Sequence, residues 1–229
     1  DEREKYITQL AKKGFPTIKD EEWKYTNLLP ILKKDYKLSE SQTLVEQQLL
    51  REYILNDTNT HLIVFVNGQF SNELSSINIE NAFVCSLSDA ELKNPIILKK
   101  YWGSCLPENP DSLVALNSAL SKNGTFIYVP KNTIIKKPIQ ILYFTNGVST
   151  DLFLQTRNLI VVEENSQVQI TERHQNLDDK EVFTNALTEI NAGANSIVDL
   201  YKIQNDNRNC SLIDNTWVKQ EKTSNCSVD

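Results

Sequence analysis

Asparagine returns at a near-constant interval through the second half of the chain. Asn132-Thr133-Ile134-Ile135, Asn165-Ser166-Gln167-Val168, Asn195-Ser196-Ile197-Val198 and Asn225-Cys226-Ser227-Val228 can be laid on one another with offsets of 33, 30 and 30 residues. The residues ahead of them agree in type: Ile127-Tyr128-Val129, Ile160-Val161-Val162 and Leu187-Thr188-Glu189-Ile190. From Thr125 onward the chain is almost entirely short runs of Ile, Val, Tyr, Phe and Thr, which fit a pleated, half-buried surface. Each unit reads as strand, Asn-containing turn, strand and polar return. One such unit cannot bury its own apolar face, but stacked units bury all of them in one continuous core. An antiparallel sandwich would turn every ~8–12 residues and would not place the same residue at a thirty-residue interval. The expected fold is therefore mainly β, with a β-solenoid over residues 111–229 and a helical or mixed region over residues 1–110.

Composition supports turns of this kind. Asn accounts for 24 of the 229 residues and Gly for only 6, where average usage would give roughly 16 glycines. Asn tolerates the left-handed region and bonds its own backbone, so it can make turns that Gly usually makes. Met is absent, although it is an ordinary core filler. The last unit stops in mid-strand at Cys226-Ser227-Val228-Asp229. Both features lead to the expectation that a C-terminal portion lies outside this sequence.

The first half is irregular. Asp1 to Lys13 reads as a helix, with Tyr6, Ile7, Leu10 and Ala11 at helical spacing and Gly14 as its stop. In Asp20-Glu21-Glu22-Trp23-Lys24-Tyr25-Thr26-Asn27-Leu28, the two aromatics cannot share a helix face, so a short turn is expected to pin Trp23 or Tyr25 onto a neighbour. Ser41 to Ile54 is a second helical candidate, capped by Ser41 or Thr43. His61 to Val66 reads as a strand, and Asn67-Gly68 as a hairpin turn returning through Gln69-Phe70. Ser88 with Glu91 predicts a short helix start. Residues 103–111 hold two prolines and a glycine and read as a linker. Asp111 should cap a helix through Leu113, Leu116, Ala119 and Leu120 that ends at Gly124.

Lys plus Arg is 24 and Asp plus Glu is 30, a formal charge of −6. That balance argues against a general nucleic-acid binder, which needs a basic footprint. The longest apolar runs fall far short of the ~20 residues that span a bilayer. The opening Asp1-Glu2-Arg3-Glu4-Lys5 has no apolar signal region, so a cytoplasmic protein is expected. Cys85, Cys105, Cys210 and Cys226 form no C-x-x-C pair and read as reduced thiols near the core. Phosphate-binding, hydrolase and zinc motifs are missing. Glu172 and His174 would face one side of a strand and can pair there, at the surface or beside a turn. His61 reads as structural, Glu163-Glu164 as solvated, and Lys99-Lys100 and Lys136-Lys137 as exposed charge pairs. A solenoid carbohydrate-active enzyme would line one sheet with paired acids. Here only Asp199 and Asp229 fall at corresponding positions. No catalytic, cofactor-binding or metal residue is assigned, and the expected protein is not an enzyme.

Several segments resemble a known family. Glu21-Glu22-Trp23-Lys24-Tyr25-Thr26-Asn27-Leu28 resembles the E-E-W-[RK]-Y-T-[DN]-L segment of SufD proteins. Phe65-Val66-Asn67-Gly68-Gln69-Phe70-Ser71, Leu116-Asn117-Ser118-Ala119-Leu120 and Asn123-Gly124-Thr125-Phe126-Ile127-Tyr128-Val129-Pro130 are similar to later SufB/SufD stretches. Pro138-Ile139-Gln140-Ile141, Arg157-Asn158-Leu159-Ile160-Val161-Val162 and Phe183-Thr184-Asn185-Ala186 also match, and the matches run in order. The resemblance implies a right-handed parallel β-helix core preceded by a helical region. It also implies a non-catalytic scaffold subunit of a SufBCD-type complex for iron–sulfur cluster assembly, partnered by SufB-like and SufC-like (ATPase) subunits. A homodimer in isolation is a further expectation. No cofactor would be bound stably by this chain, the cluster being handled by the complex. A SufB-like subunit that holds the nascent cluster and a generic β-helix interaction module are the neighbouring readings.

Overall fold

A computed structural model describes residues 2–38, 43, 45–55, 59–146 and 150–229. Helix α1 (Glu2–Lys13) is followed by a 3-10 turn (Glu21–Trp23) and by the single turns α2 (Leu29–Leu32) and α3 (Gln47–Leu50). Strands β1 (His61–Val66), β2 (Gln69–Phe70) and β3 (Phe83–Ser86) come next, then helices α4 (Leu87–Lys93), α5 (Pro95–Tyr101) and α6 (Ser112–Leu120). The rest is strand: β4 (Thr125–Val129), β5 (Ile139–Thr145), β6 (Leu152–Val162), β7 (Gln167–Asn176), β8 (Val182–Ala192), β9 (Ile197–Gln204), β10 (Cys210–Gln220) and β11 (Asn225–Val228).

From β4 onward, successive strands alternate between two sheets. One runs β11-β9-β7-β5-β1-β2 and the other β10-β8-β6-β4-β3. All pairings in the stack are parallel except β1 with β2 and β3 with β4, which are antiparallel. This is the parallel β-solenoid expected from the repeat, preceded by a helical region. Strands β1 and β3, from the first half of the chain, join the same two sheets.

The asparagine turns explain the stacking. Asn132, Asn165 and Asn195 all sit at positive φ, between 56° and 58°, where a short polar side chain can bond locally. Their side chains form a ladder: Asn165 Nδ2 donates to Asn132 Oδ1 at 3.0 Å, and Asn195 Nδ2 to Asn165 Oδ1 at 3.1 Å. The fourth rung is not Asn225. Asn225 lies in β11 opposite Ile197, and Thr223 occupies the turn at φ 59°. The last coil is two residues shorter than the one before it, so the thirty-residue offset overshoots. For the same reason Ser227, not Asp229, stands opposite Asp199.

Between the sheets the turn-side half of each strand is apolar. Ile127, Val129, Ile160, Val162 and Ile190 face Ile139, Ile141, Val168, Ile170, Val198 and Leu200 in one buried cluster. Burying each such side chain contributes ~1.5–3 kcal/mol. Helices and loops cover the outer faces. Leu87, Ala90, Ile97 and Leu98 pack on Phe126, Leu159 and Val161. Val45, Leu49 and Leu50 pack on Leu62, Val64, Leu142 and Phe144.

Several local expectations hold. Gly14, at φ 70°, stops α1. Asn67 and Gly68, at φ 50° and 79°, turn β1 into β2. Asp111 caps α6, accepting from the backbone N–H of Leu113 and Val114 at 2.8 and 3.0 Å. Trp23 packs with Leu28, Leu113 and Leu116, whereas Tyr25 is 92% exposed.

Others are corrected. The cap of α4 is Ser86, whose side chain accepts from Asp89 N–H at 3.1 Å, not Ser88. Helix α6 ends at Leu120. Gly124 serves a close approach instead: a Cβ there would lie 1.6 Å from the Arg157 carbonyl oxygen. The Ser41–Ile54 helix shrinks to α3 among the described residues, and Ser41 lies outside them. Thr43 is not a cap, because its hydroxyl donates to Asn146 O at 2.5 Å and accepts from Asn67 Nδ2 at 2.9 Å. Residues 103–111 are no linker, being tied to β8 as described next.

Candidate functional site

Away from the asparagine turns the solenoid interior becomes polar. Inward positions recur every second residue, so β6 presents Asn158 after Ile160, and β7 presents Glu172 and His174 after Ile170. Parallel register then sets Asn158 beside Thr188, Tyr143 beside His174 and Glu172 beside Lys202. Asn158 joins the two sheets. Its Oδ1 accepts from Tyr143 OH at 2.5 Å and from Thr125 N–H at 3.1 Å, and its Nδ2 donates to Glu172 Oε2 at 3.2 Å. Glu172 Oε1 lies 3.0 Å from His174 Nε2, and Oε2 lies 3.9 Å from Lys202 Nζ. Lys202 also donates to both oxygens of Asp214, at 2.6 and 2.7 Å. The His174 ring stacks on Tyr143 with centroids 4.7 Å apart, and Tyr143 stacks in turn on Phe65.

Two carboxylates here compete for one ammonium. Burial pushes the Glu172 carboxyl up, but Lys202, His174 and Asn158 together outweigh it and leave it below its ordinary value. Asp214 moves the other way, raised by burial and by the charge on Glu172. Burial and the same charge hold the Tyr143 phenol well above its usual range. The cluster keeps Glu172 ionised in a closed setting, held between Asn158 of the facing sheet and Lys202 of the next coil.

The Glu172–His174 pair was legible in the sequence, but it lies inside the stack rather than at the surface. Lys202 was missed, although it stands thirty residues after Glu172, the same spacing as Asn165 to Asn195. Asn158 and Asp214 approach from the opposite sheet, and no local pattern marks them.

A second buried charge pair fastens the helical region to the outer face of β8. Arg157 Nη2 donates to Glu189 Oε1 at 2.5 Å, and both side chains are fully buried. Arg157 Nη1 donates to Ser118 Oγ at 2.8 Å, and its guanidinium lies 4.1 Å from the Trp102 ring centroid. Backbone N–H groups of Gly103 and Cys105 donate to Glu189 at 3.1 and 3.3 Å. Ser104 Oγ donates to Asn191 Oδ1 at 3.1 Å. These contacts turn a Pro- and Gly-bearing segment into a clamp.

The other sequence candidates are placed separately. His61 is buried at the start of β1, where its Nδ1 accepts from Asn78 N–H at 3.4 Å. Glu163 is not merely solvated: its Oε1 accepts from Tyr101 OH at 2.7 Å, and Glu164 pairs with Lys131 at 3.1 Å. Lys99, Lys100, Lys136 and Lys137 are exposed. The four cysteines are half-buried and make no disulfide. Burial raises each thiol, Cys85 and Cys105 to about 11 and Cys210 to about 12. Among the described residues, no group of three or more His, Cys, Asp or Glu side chains could hold a metal ion. No helix among them is long and apolar enough to cross a membrane.

Two family models match the chain in succession. One, the SufBD protein N-terminal region, covers residues 1–141. The other, the SufBD core domain of SUF-system FeS cluster assembly, covers residues 143–228. An iron–sulfur cluster assembly SufBD family protein of Synechocystis is 29% identical over 94% of this chain and 49% of its own length. The iron–sulfur cluster assembly protein SufD of Escherichia coli is 24% identical over 89% of this chain and 46% of its own. The corresponding SufB of Bacillus subtilis is 31% identical, over 47% of this chain and 24% of its own. The chain thus spans about half the length of the first two relatives. With both family models and a solenoid core in agreement, the chain belongs to the SufBD family of iron–sulfur cluster assembly proteins.

Proposed function

We propose that this chain is a SufD-type, non-catalytic scaffold subunit of a SUF-system complex that builds iron–sulfur clusters. Its partners are a SufB-like subunit and a SufC-like ATPase. The observation that carries the SufD reading is the reach of the likeness: it extends over 89% of the chain for a SufD, N-terminal region included, but over 47% for a SufB. The physical character of the chain supports a scaffold. Its charged interior is closed and internally bonded. What it offers a partner is a stiff, stacked surface. The cluster is the cargo of the complex and is not resident on this chain. The cytoplasm is the expected setting.

The test is co-expression with the SufB-like and SufC-like proteins of the same source, followed by cluster reconstitution. The expected result is a co-purifying complex that assembles clusters faster than SufB and SufC alone. Equal assembly without this chain would overturn the proposal. Stable cluster absorption on this chain alone would transfer it to the SufB side of the family.

A further inference from the structure

We propose that the cleft walled by α1, α4, α5 and α6 binds a small amphipathic organic anion, an apolar or aromatic body bearing a sulfonate, carboxylate or phosphate. The cleft holds about 400 Å³, within the range of small-molecule sites. Its walls are of two kinds. Leu87, Leu98 and Trp102 supply apolar and aromatic surface, and the Trp102 ring is held in place by the Arg157 guanidinium against it. Lys99 and Lys122 supply two positive charges against the single lining carboxylate of Glu91, and Arg3 also lines the cleft. That local excess stands on a chain whose formal charge is −6.

Ser121 gives an independent sign of a missing ligand. It lines the cleft, is 4% exposed, and its buried hydroxyl has no hydrogen-bond partner among the described residues. Buried polar groups left unsatisfied are uncommon and costly, and a turn of the Ser121 side chain toward the cleft would let an anionic oxygen accept from this hydroxyl. Lys99 and Lys122 are exposed and make no ion pair among the described residues. The same site thus offers an apolar wall, a buried hydroxyl donor and available positive charge. A wholly apolar ligand would leave the lysines and Ser121 unused, and a bare inorganic anion would leave the Trp102 wall unused.

This inference stands apart from the scaffold role and is tested on the purified protein without partners. The probes are anilinonaphthalene sulfonate and its uncharged analogue phenylnaphthylamine, with the Trp102 indole N–H resonance as the readout of place. The sulfonate should shift that resonance, and its affinity should fall roughly tenfold or more in K99E/K122E and on raising salt. Lys122→Gln alone should give a smaller loss in the same direction. The uncharged analogue should bind more weakly and be indifferent to both variants. Sulfonate binding that leaves Trp102 unmoved, or that is the same in K99E/K122E, would overturn the proposal. So would equal affinity for the uncharged analogue.

Discussion

Thr223 takes the place of a fourth asparagine, donating its hydroxyl to Asn195 Oδ1 at the end of the side-chain ladder. It does so at φ 59°, a region in which a β-branched residue is an outlier. Thr223→Asn should therefore stabilise the protein by about 1 kcal/mol, relieving backbone strain while keeping a ladder group. The melting temperature should rise by roughly 2–4 °C, and an unchanged or lower value would refute the account. In the opposite direction, Asn165→Ala should cost about 2 kcal/mol, whereas Asn165→Gly should recover the part due to backbone strain.

The repeat carried the fold, and its failure at the last coil is instructive. An Asn-rich chain offers a decoy wherever a coil changes length, and Asn225 is such a decoy two residues past the true turn. Local rules also misjudged residues 103–111. Pro and Gly mark a break in the chain, but not that Glu189, more than 80 residues away, will accept from that segment's backbone. The Ser41 helix was misread in the same way, since the Thr43 hydroxyl is engaged by Asn67 and Asn146 across the fold. Of the interior cluster, only the Glu172–His174 pair on one strand was read, and the repeat offset would have added Lys202. What arrives from the facing sheet was not legible.

The Arg157–Glu189 pair makes a sharp prediction. Glu189→Gln leaves a buried guanidinium without its counter-charge and should cost about 3–5 kcal/mol. Denaturant unfolding checks it. A loss below about 1 kcal/mol would show that the pair is not the clamp between the helical region and the solenoid.

Gly124→Ala should be as damaging as a cavity mutant, at about 3 kcal/mol or more, because the added methyl carbon meets the Arg157 carbonyl oxygen at 1.6 Å. Gly14→Ala is the control. Nothing lies within 4 Å of a Cβ there, so only the cost of its φ of 70° remains.

His61 sets one limb of the pH dependence. Burial, helped by Lys137, lowers its pKa below the ordinary 6.5. The unfolded chain then binds more protons than the folded one just below pH 6.5, so stability falls as pH drops through that window. His61→Gln should flatten the change in unfolding free energy between about pH 6.5 and 5. Glu172 acts lower down. Its depressed pKa gives stability that is full above the ordinary 4.5 and lost as pH falls through the folded value, and Glu172→Gln should remove that acid limb.

Thiols raised to about 11 and 12 hold very little thiolate at neutral pH. Iodoacetamide should modify Cys85, Cys105 and Cys210 far more slowly than free cysteine at pH 7. Mass spectrometry of the intact protein follows the rate, and rapid labelling of any of the three would contradict their placement.

A stack of nearly equal coils carries an ambiguity that a globular sheet does not: a strand displaced by two residues still turns the right face inward. The ionic column in the solenoid interior removes that degeneracy. Displace β9 by two against β7, and Glu172 meets Leu200 or Gln204 instead of Lys202, leaving a desolvated charge without its counter-ion. The greasy end of each coil would tolerate the slip, and the charged end would not. Electrostatics thus acts as the index mark of the stack, and the neutral set Glu172→Leu, Lys202→Leu and Asp214→Leu, which also removes the second carboxylate on Lys202, should give a core that survives burial but loses its single alignment.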